Sequence, residues 1–423
     1  MIDFSPPKPI IKMNNVLDQV AKNMMRPTSR YFDENEHEIP WNYINFMHEA
    51  MRSMGGASLV PPPSGKNGTN GTSAKPKKKY PPIGYQSIAF QIEMLAYGDV
   101  GMYLVTPGGG LGGAAIEATG TPEQKERFLA RFNAKKPAFG AMAMTEPQAG
   151  SDTSAIRTRA TLDPETNEWI LNGEKIFVTA GKKALEDTDG LVVIWATIDP
   201  EAGRAGMRPF IVEAGTPGIQ VAKLEHKMGI RVSDTASLVL QDCRVPFENI
   251  LGSPEVVKKK TSKTGFKGAM KTFDATRPLV AASAVGVARA TLELLKEMLR
   301  QEGIEIRYGL PRNKLTTIEK EVMDMEVMLR SAWLLVIKAV WMADNGKPNP
   351  LEASMSKVRS GEIVTKITQK AVELMGPLGY SRDSLLEKWF RDAKISDIYE
   401  GTGQINRLIV ARNILGYSGR ELR

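Results

Sequence analysis

The chain has 423 residues, 42% apolar and 25% charged, with a formal net charge of +8. That is material for two to four domains and a large core, which excludes a disordered chain, a collagen-like fibre and a small stapled scaffold. One cysteine (Cys243) and three scattered histidines (His37, His48, His226) give no disulfide framework, thiolate cluster or His-rich metal site to expect.

Apolar runs stop short of the roughly 18–20 residues that span a bilayer. The N-terminal MIDFSPPKPIIK lacks a charged-then-apolar leader, so no membrane span and a cytoplasmic location are expected. Residues 1–137 read as a helical domain. Val16, Val20, Met24 and Met25 recur at three-to-four spacing, as do Ile44, Met47, His48 and Met51, and 86–97 reads likewise. In TPEQKERFLARF at 121–132, Thr121 can cap, Pro122 suits the first turn and Gln124 sits three residues after the cap. The stretch 61–82, with GKNGTNGTSAKPKKK, buries nothing and is expected to be a mobile loop.

Residues 138–251 change texture. WILNGEKIFVTAG, LVVIWATI, RPFIVEA, GIQVAKL and ASLVLQDCRV are short β-rich runs without long helices between them, which predicts an antiparallel β-domain. From 252 to 423 the helical period returns, and its long runs suit a helical bundle. The expected class is therefore α+β and multidomain, in the order α, β, α.

Charge is uneven along the chain. Lys66, Lys75, Lys77, Lys78 and Lys79 lie in 61–82, and Lys258, Lys259, Lys260, Lys263, Lys267 and Lys271 lie in 257–272. These eleven exceed the net +8 and leave the remainder at −3. Solvated loops, a phosphate-bearing ligand and nucleic acid are the three readings such runs allow.

GGGLGG at 108–113 satisfies GxGxxG, but no strand precedes it and no βαβ context surrounds it, so close helix packing is the better account. The run also offers room for a long or bulky ligand tail. MTEPQAGSDTSAIRT at 144–158 concentrates hydroxyls and glycines that let backbone N–H groups approach a planar or anionic ligand. KIFVTAG follows at 175–181. In RDAKISDIYEGTGQINRLIVAR at 391–412, Glu400 lies between an aromatic and a Gly-Thr-Gly turn, just before a helix. A single Glu beside a turn is ordinarily a surface residue.

Read together with HKMGIRVSDTASLVLQDCRVPFENILG at 226–252 and FDATRPLVAASAVGVAR at 273–289, these segments resemble the acyl-CoA dehydrogenase family of flavoproteins over about 86–417. The resemblance implies an N-terminal helical domain, a middle β-domain and a C-terminal four-helix bundle, with FAD between the last two. It implies that Met142, Met144, Thr145, Gly150 and Ser151, then Phe177, Val178 and Thr179, hold the flavin and its ribityl chain. Gly401, Thr402 and Gln404 match the turn beside the flavin. Ser151, Asp274, Arg277 and Arg412 match contacts to the CoA portion of the substrate, with Glu400 and Gly401 at its acyl end.

Glu400 matches the catalytic base that follows the tyrosine of Y-E-G-T. Some branches carry the base third in D-x-x-R, which here is Thr276 and has no basic group. The implied reaction is α,β-dehydrogenation of an acyl-CoA thioester to trans-2-enoyl-CoA, as in fatty acid β-oxidation. The carboxylate removes the α-proton while flavin N5 takes the β-hydride. Fixed donors on the thioester carbonyl stabilise enolate charge, in relatives the base's own N–H and a ribityl hydroxyl. Electron-transfer flavoprotein is the implied acceptor.

Three departures fall where a partner subunit completes the family's site. R-K-x-F-G appears as EIRYG at 305–309, with Glu305 in the arginine's slot and Arg307 as the substitute FAD diphosphate contact. Leu315-Thr316 replaces a polar pair, and L-G-G-N-G-Y appears as MGPLGY at 375–380, keeping Gly376. A homotetramer with altered FAD contacts and an α2β2 heterotetramer with a related subunit are the alternatives. Lysines 258–260, 263 and 267 are candidates to attract the 3′-phospho-ADP of CoA. A nucleic-acid-binding flavoprotein of the same fold is the different-class alternative, but such relatives carry a further basic domain. Acyl-CoA oxidases are longer by a domain, and monooxygenases of this fold lack the glutamate.

Overall fold

The computed structural model describes residues 8–53, 84–256, 264–417 and 421. The 61–82 loop, Lys258, Lys259, Lys260 and Lys263 lie outside them, as do the side chains of Lys267 and Lys271. The described residues cluster into two compact units, one of 8–23, 84–98 and 277 onward, the other of 24–53 and 99–276.

Among the described residues, six α-helices come first: α1 (Lys8–Val20), α2 (Arg26–Glu34), α3 (Trp41–Ser53), α4 (Gly84–Leu104), α5 (Gly110–Thr119) and α6 (Pro122–Leu129). α4 breaks at Asp99, whose extended backbone interrupts the ladder while its carboxylate accepts the Met102 amide at 2.9 Å. α6 begins with the capping box written in its sequence. Thr121 Oγ1 accepts the Gln124 amide at 3.3 Å, and Gln124 Oε1 accepts the Thr121 amide at 3.0 Å.

Seven strands follow among the described residues: β1 (Gly140–Ala143), β2 (Arg159–Asp163), β3 (Glu168–Thr179), β4 (Leu191–Thr197), β5 (Met207–Glu213), β6 (Ile219–Leu224) and β7 (Thr235–Pro246). They form one sheet in the order β1-β4-β2-β3-β7-β6, with β5 on β4. Most pairings are antiparallel, but β1 and β2 run parallel to β4. β4 is LVVIWAT, buried along its whole length, as a strand covered on both faces must be. β6 alternates exposed and half-buried residues and is an edge.

The glycine run packs α5 onto β1. A Cβ on Gly112 would sit 2.5 Å from the Ala141 carbonyl oxygen, and one on Gly110 (φ +48°) 2.8 Å from that of Gly140. Helix and strand backbones meet at a distance only glycine allows. The idea that this run makes room for a bulky acyl chain is therefore corrected, because β1 occupies that space.

The C-terminal part is helical: α7 (Thr264–Gln301), α8 (Thr317–Asp344), α9 (Pro350–Met375), α10 (Pro377–Tyr380), α11 (Leu386–Ala393) and α12 (Gly403–Leu415). α9 is the hub, packing on α8, α11 and α12. Gly286 of α7 comes so close to α4 that a Cβ there would meet the Tyr97 amide nitrogen at 2.9 Å. One segment, Thr272–Gln301, is long and apolar enough to cross a bilayer by length and composition. Its apolar window is 83% buried within the fold, the burial of a core helix.

Candidate active site

In the unit that carries the sheet, the segment after β1 is held by one buried carboxylate. Glu146 accepts the Arg157 amide at 2.6 Å, the Thr158 amide at 3.0 Å and Lys175 Nζ at 2.7 Å. Lys175 is fully buried in β3 and also donates to the Met144 carbonyl at 3.1 Å. Burial by itself would raise the Glu146 pKa, but the Lys175 charge and the converging donors hold it down at about 2. The carboxylate thus stays ionised and ties the loop that bears Gly150 and Ser151 to the sheet. The Ile176 amide donates to the Thr145 carbonyl at 2.9 Å, bringing 142–151 beside 177–179.

β3 carries a bulge at this point, where its pairing with β7 shifts register between Lys175 and Val178. Phe177 sits in the bulge at φ +57°, a strained conformation for an aromatic residue. Phe177 is 60% exposed while Val178 beside it is buried. Met144 is buried with Ala149, Ile156, Trp195 and Met207, and Met142 packs against that cluster. Gly150 faces open space. An outward aromatic ring, an open glycine and the hydroxyls of Thr145, Ser151 and Thr179 are the apolar and hydrogen-bonding mixture that a planar heterocycle requires, so these residues fit a flavin.

In the other unit, Glu400 ends a short turn before α12 at φ +52°, followed by Gly401 at φ +93°. Thr402 caps α12 by accepting the Ile405 amide, with Gln404 exposed in the first turn. Arg277 is 3% exposed, and a Cβ on Gly401 would lie 3.8 Å from its Nη2. The fully buried Asn406 donates to the carbonyls of Gly401 at 2.8 Å and Thr402 at 3.1 Å. Lys357 of α9 donates to the carbonyls of Ser396 at 2.7 Å and Gly401 at 3.4 Å. Arg277, Glu400, Gly401 and Thr402 are therefore gathered at one place. Arg412 lies near the end of the same helix, its Nε buried and without a hydrogen-bond partner among the described residues. Asp274, half-buried on α7, and the buried Thr276 belong to the unit that carries the sheet.

Arg307 and Gly376 are placed elsewhere. The Arg307 guanidinium is forked onto Glu319, at 2.7 and 2.8 Å, and helps fix the start of α8. Gly376 (φ +53°) terminates α9 nineteen residues beyond Lys357, about 28 Å along the helix axis. Thr316, one of the departures from the family pattern, caps α8 by a second capping box with Glu319.

Two of the three histidines, distant in sequence, meet at Glu36. His226 Nδ1 lies 3.0 Å from its carboxylate, and the His37 and His226 rings are 5.2 Å apart. The three could surround a cation. The same carboxylate already accepts the Lys227 amide at 2.8 Å and faces the Arg231 guanidinium at 3.4 Å, so its charge is matched within the chain. Sequence reading missed Lys357, Lys175 and Glu146 as supports of the site. The only signal was a lysine at a position that alternation or helical period turns inward.

The family description "Acyl-CoA dehydrogenase, middle domain" matches residues 141–243, and "Acyl-CoA dehydrogenase, C-terminal domain" matches 263–415. The chain is 41% identical over 301 residues to the acryloyl-CoA reductase (NADH) of Anaerotignum propionicum, covering 71% of this chain and 72% of the relative. It is 36% identical over 297 residues to the mitochondrial short-chain specific acyl-CoA dehydrogenase of Mus musculus, covering 70% and 67%. Among solved structures, butyryl-CoA dehydrogenase from Megasphaera elsdenii matches with a TM-score of 0.81 at 31% identity, over 98% of this chain and 100% of that one.

Proposed function

The chain belongs to the acyl-CoA dehydrogenase family, FAD-dependent oxidoreductases of acyl-CoA thioesters, and on that premise we propose that Glu400 is the base of an α,β-dehydrogenation of short acyl-CoA. The observation that carries this reading is the left-handed backbone of Glu400, a strained non-glycine conformation kept in a turn held by hydrogen bonds from Lys357 and Asn406. Short straight chains are favoured because the relatives named above act on short acyl groups and because the glycine run is filled by packing.

Glu400, ionised, takes the proton from the acyl α-carbon, while its backbone N–H helps to polarise the thioester carbonyl. FAD, when bound, supplies the acceptor for the β-hydride. Met142, Met144, Thr145, Gly150, Ser151, Phe177, Val178 and Thr179 hold it, with Gly401, Thr402 and Gln404 at the turn. Ser151, Asp274, Arg277 and Arg412 take the CoA portion. Glu400→Gln is expected to retain FAD and acyl-CoA but to lose about 10²–10⁴-fold in kcat. Turnover within a few-fold of wild type refutes the assignment.

A second reading concerns direction. The similarity to a reductase favours the reverse reaction, in which the protonated Glu400 returns its proton to the α-carbon of a 2-enoyl-CoA. The same carboxyl serves both directions, and the electron partner decides between them. Electron-transfer flavoprotein is proposed as that partner, a homotetramer as the assembly and the cytoplasm as the location. Arg307 and Gly376 complete a neighbour's FAD site in this reading, which requires Arg307 to exchange Glu319 for a diphosphate. The segments 1–137, 138–251 and 252–423 are the corresponding functional division.

A further inference from the structure

Four lysines among the described residues are almost completely buried: Lys175, Lys183, Lys357 and Lys388. Three are paired with carboxylates, Lys175 with Glu146 at 2.7 Å, Lys183 with Asp234 at 2.5 Å and Lys388 with Asp392 at 2.8 Å. Lys357 is different. Its Nζ donates to the carbonyls of Ser396 (2.7 Å) and Gly401 (3.4 Å), and it lies 5.7 Å from the Tyr399 ring centroid. Those two carbonyls bracket Glu400. A buried ammonium without a contacting carboxylate is unfavourable unless something nearby uses its field.

We propose that Lys357 is a positioning residue for the dehydrogenation. It ties both ends of the 396–401 turn to α9, and its charge favours the ionised carboxylate of Glu400. The inference rests on Glu400 being the base. The charged and titratable groups around it are Glu400, Asp397 and Tyr399 from the turn, Arg277 from α7, and Arg407 from α12, whose guanidinium faces Asp397 across Gly403. Glu400 and Asp397 stabilise the ammonium and Arg277 opposes it. Burial, the largest influence, pushes the Lys357 pKa down to about 8, so the lysine is still charged at neutral pH. The Tyr399 phenol, pushed up to about 12 mainly by burial, stays neutral there.

The test is the pH profile of kcat/KM for the FAD-loaded wild type, Lys357→Gln and Lys357→Arg, with Glu400→Gln alongside. Lys357→Gln keeps a donor for the turn but removes the charge. Its acid limb is expected to move to higher pH by about one unit, a ten-fold loss of rate on that limb, with acyl-CoA affinity within three-fold of wild type. Lys357→Arg should return the limb to its wild-type position. If Lys357→Gln does not fold, Lys357→Met, which removes the donor as well as the charge, is read for the acid limb alone, with the same shift expected. An unmoved limb in the neutral variant that folds overturns the proposal while leaving Glu400 as the base. Turnover retained by Glu400→Gln overturns the underlying reading instead.

Discussion

Glu146 holds the 144–158 segment through a charge rather than through packing, and this has consequences for stability. Glu146→Gln leaves Lys175 buried without its carboxylate partner, which is expected to destabilise the fold by about 3–5 kcal/mol. Adding Lys175→Met should recover part of that loss. The pH dependence has a definite sign. With a folded pKa of about 2 against an ordinary 4.5, Glu146 stabilises the fold fully above pH 4.5, and the contribution disappears as pH falls towards 2. Denaturation by urea across this window should show wild type and Glu146→Gln converging at low pH; a constant gap contradicts the ion-pair account. The turn position of Glu400 is legible in the sequence, since an aromatic precedes it and a Gly-Thr-Gly and a helix follow. Lys357 and Lys175 are not legible as site residues. A lysine inside a periodic segment reads as solvated until the neighbouring elements are in place.

At the scale of elements, local chemistry is readable and non-local pairing is not. The capping box of α6 is spelled out by Thr121, Pro122 and Gln124, and the five β-rich runs correspond to β3 through β7. β1 and β2 escape notice because GAMA and RATLD are too short for a pattern; β1 gains its place from β4, far along the chain, and β2 from its antiparallel pairing with β3. The glycine run shows the same division. Its composition suggests close approach, but only the fold identifies β1 as what approaches. Gly112→Ala is accordingly expected to lower stability by about 1–3 kcal/mol, because a rigid backbone carbonyl stands in the way. A neutral substitution in thermal unfolding contradicts the packing of α5 on β1.

The order of helical, β and helical regions is readable over the whole chain because period and composition change together near 138 and 252. Assembly is not, because subunit contacts leave only a faint trace in one sequence. On α8, Val327, Leu334 and Trp341 are exposed at seven-residue intervals on one face. The chain expressed alone is expected to form a tetramer by light scattering with one FAD per subunit, and Leu334→Lys to shift it towards smaller species. Half-loaded flavin in the wild type favours the α2β2 alternative.

The most direct measurement is anaerobic titration of the purified flavoprotein with butyryl-CoA, following flavin absorbance in wild type and Glu400→Gln. Bleaching of the wild type, with a bound but unbleached flavin in Glu400→Gln, is the expected result. Bleaching of both proteins at similar rates contradicts a reaction begun by the carboxylate at position 400.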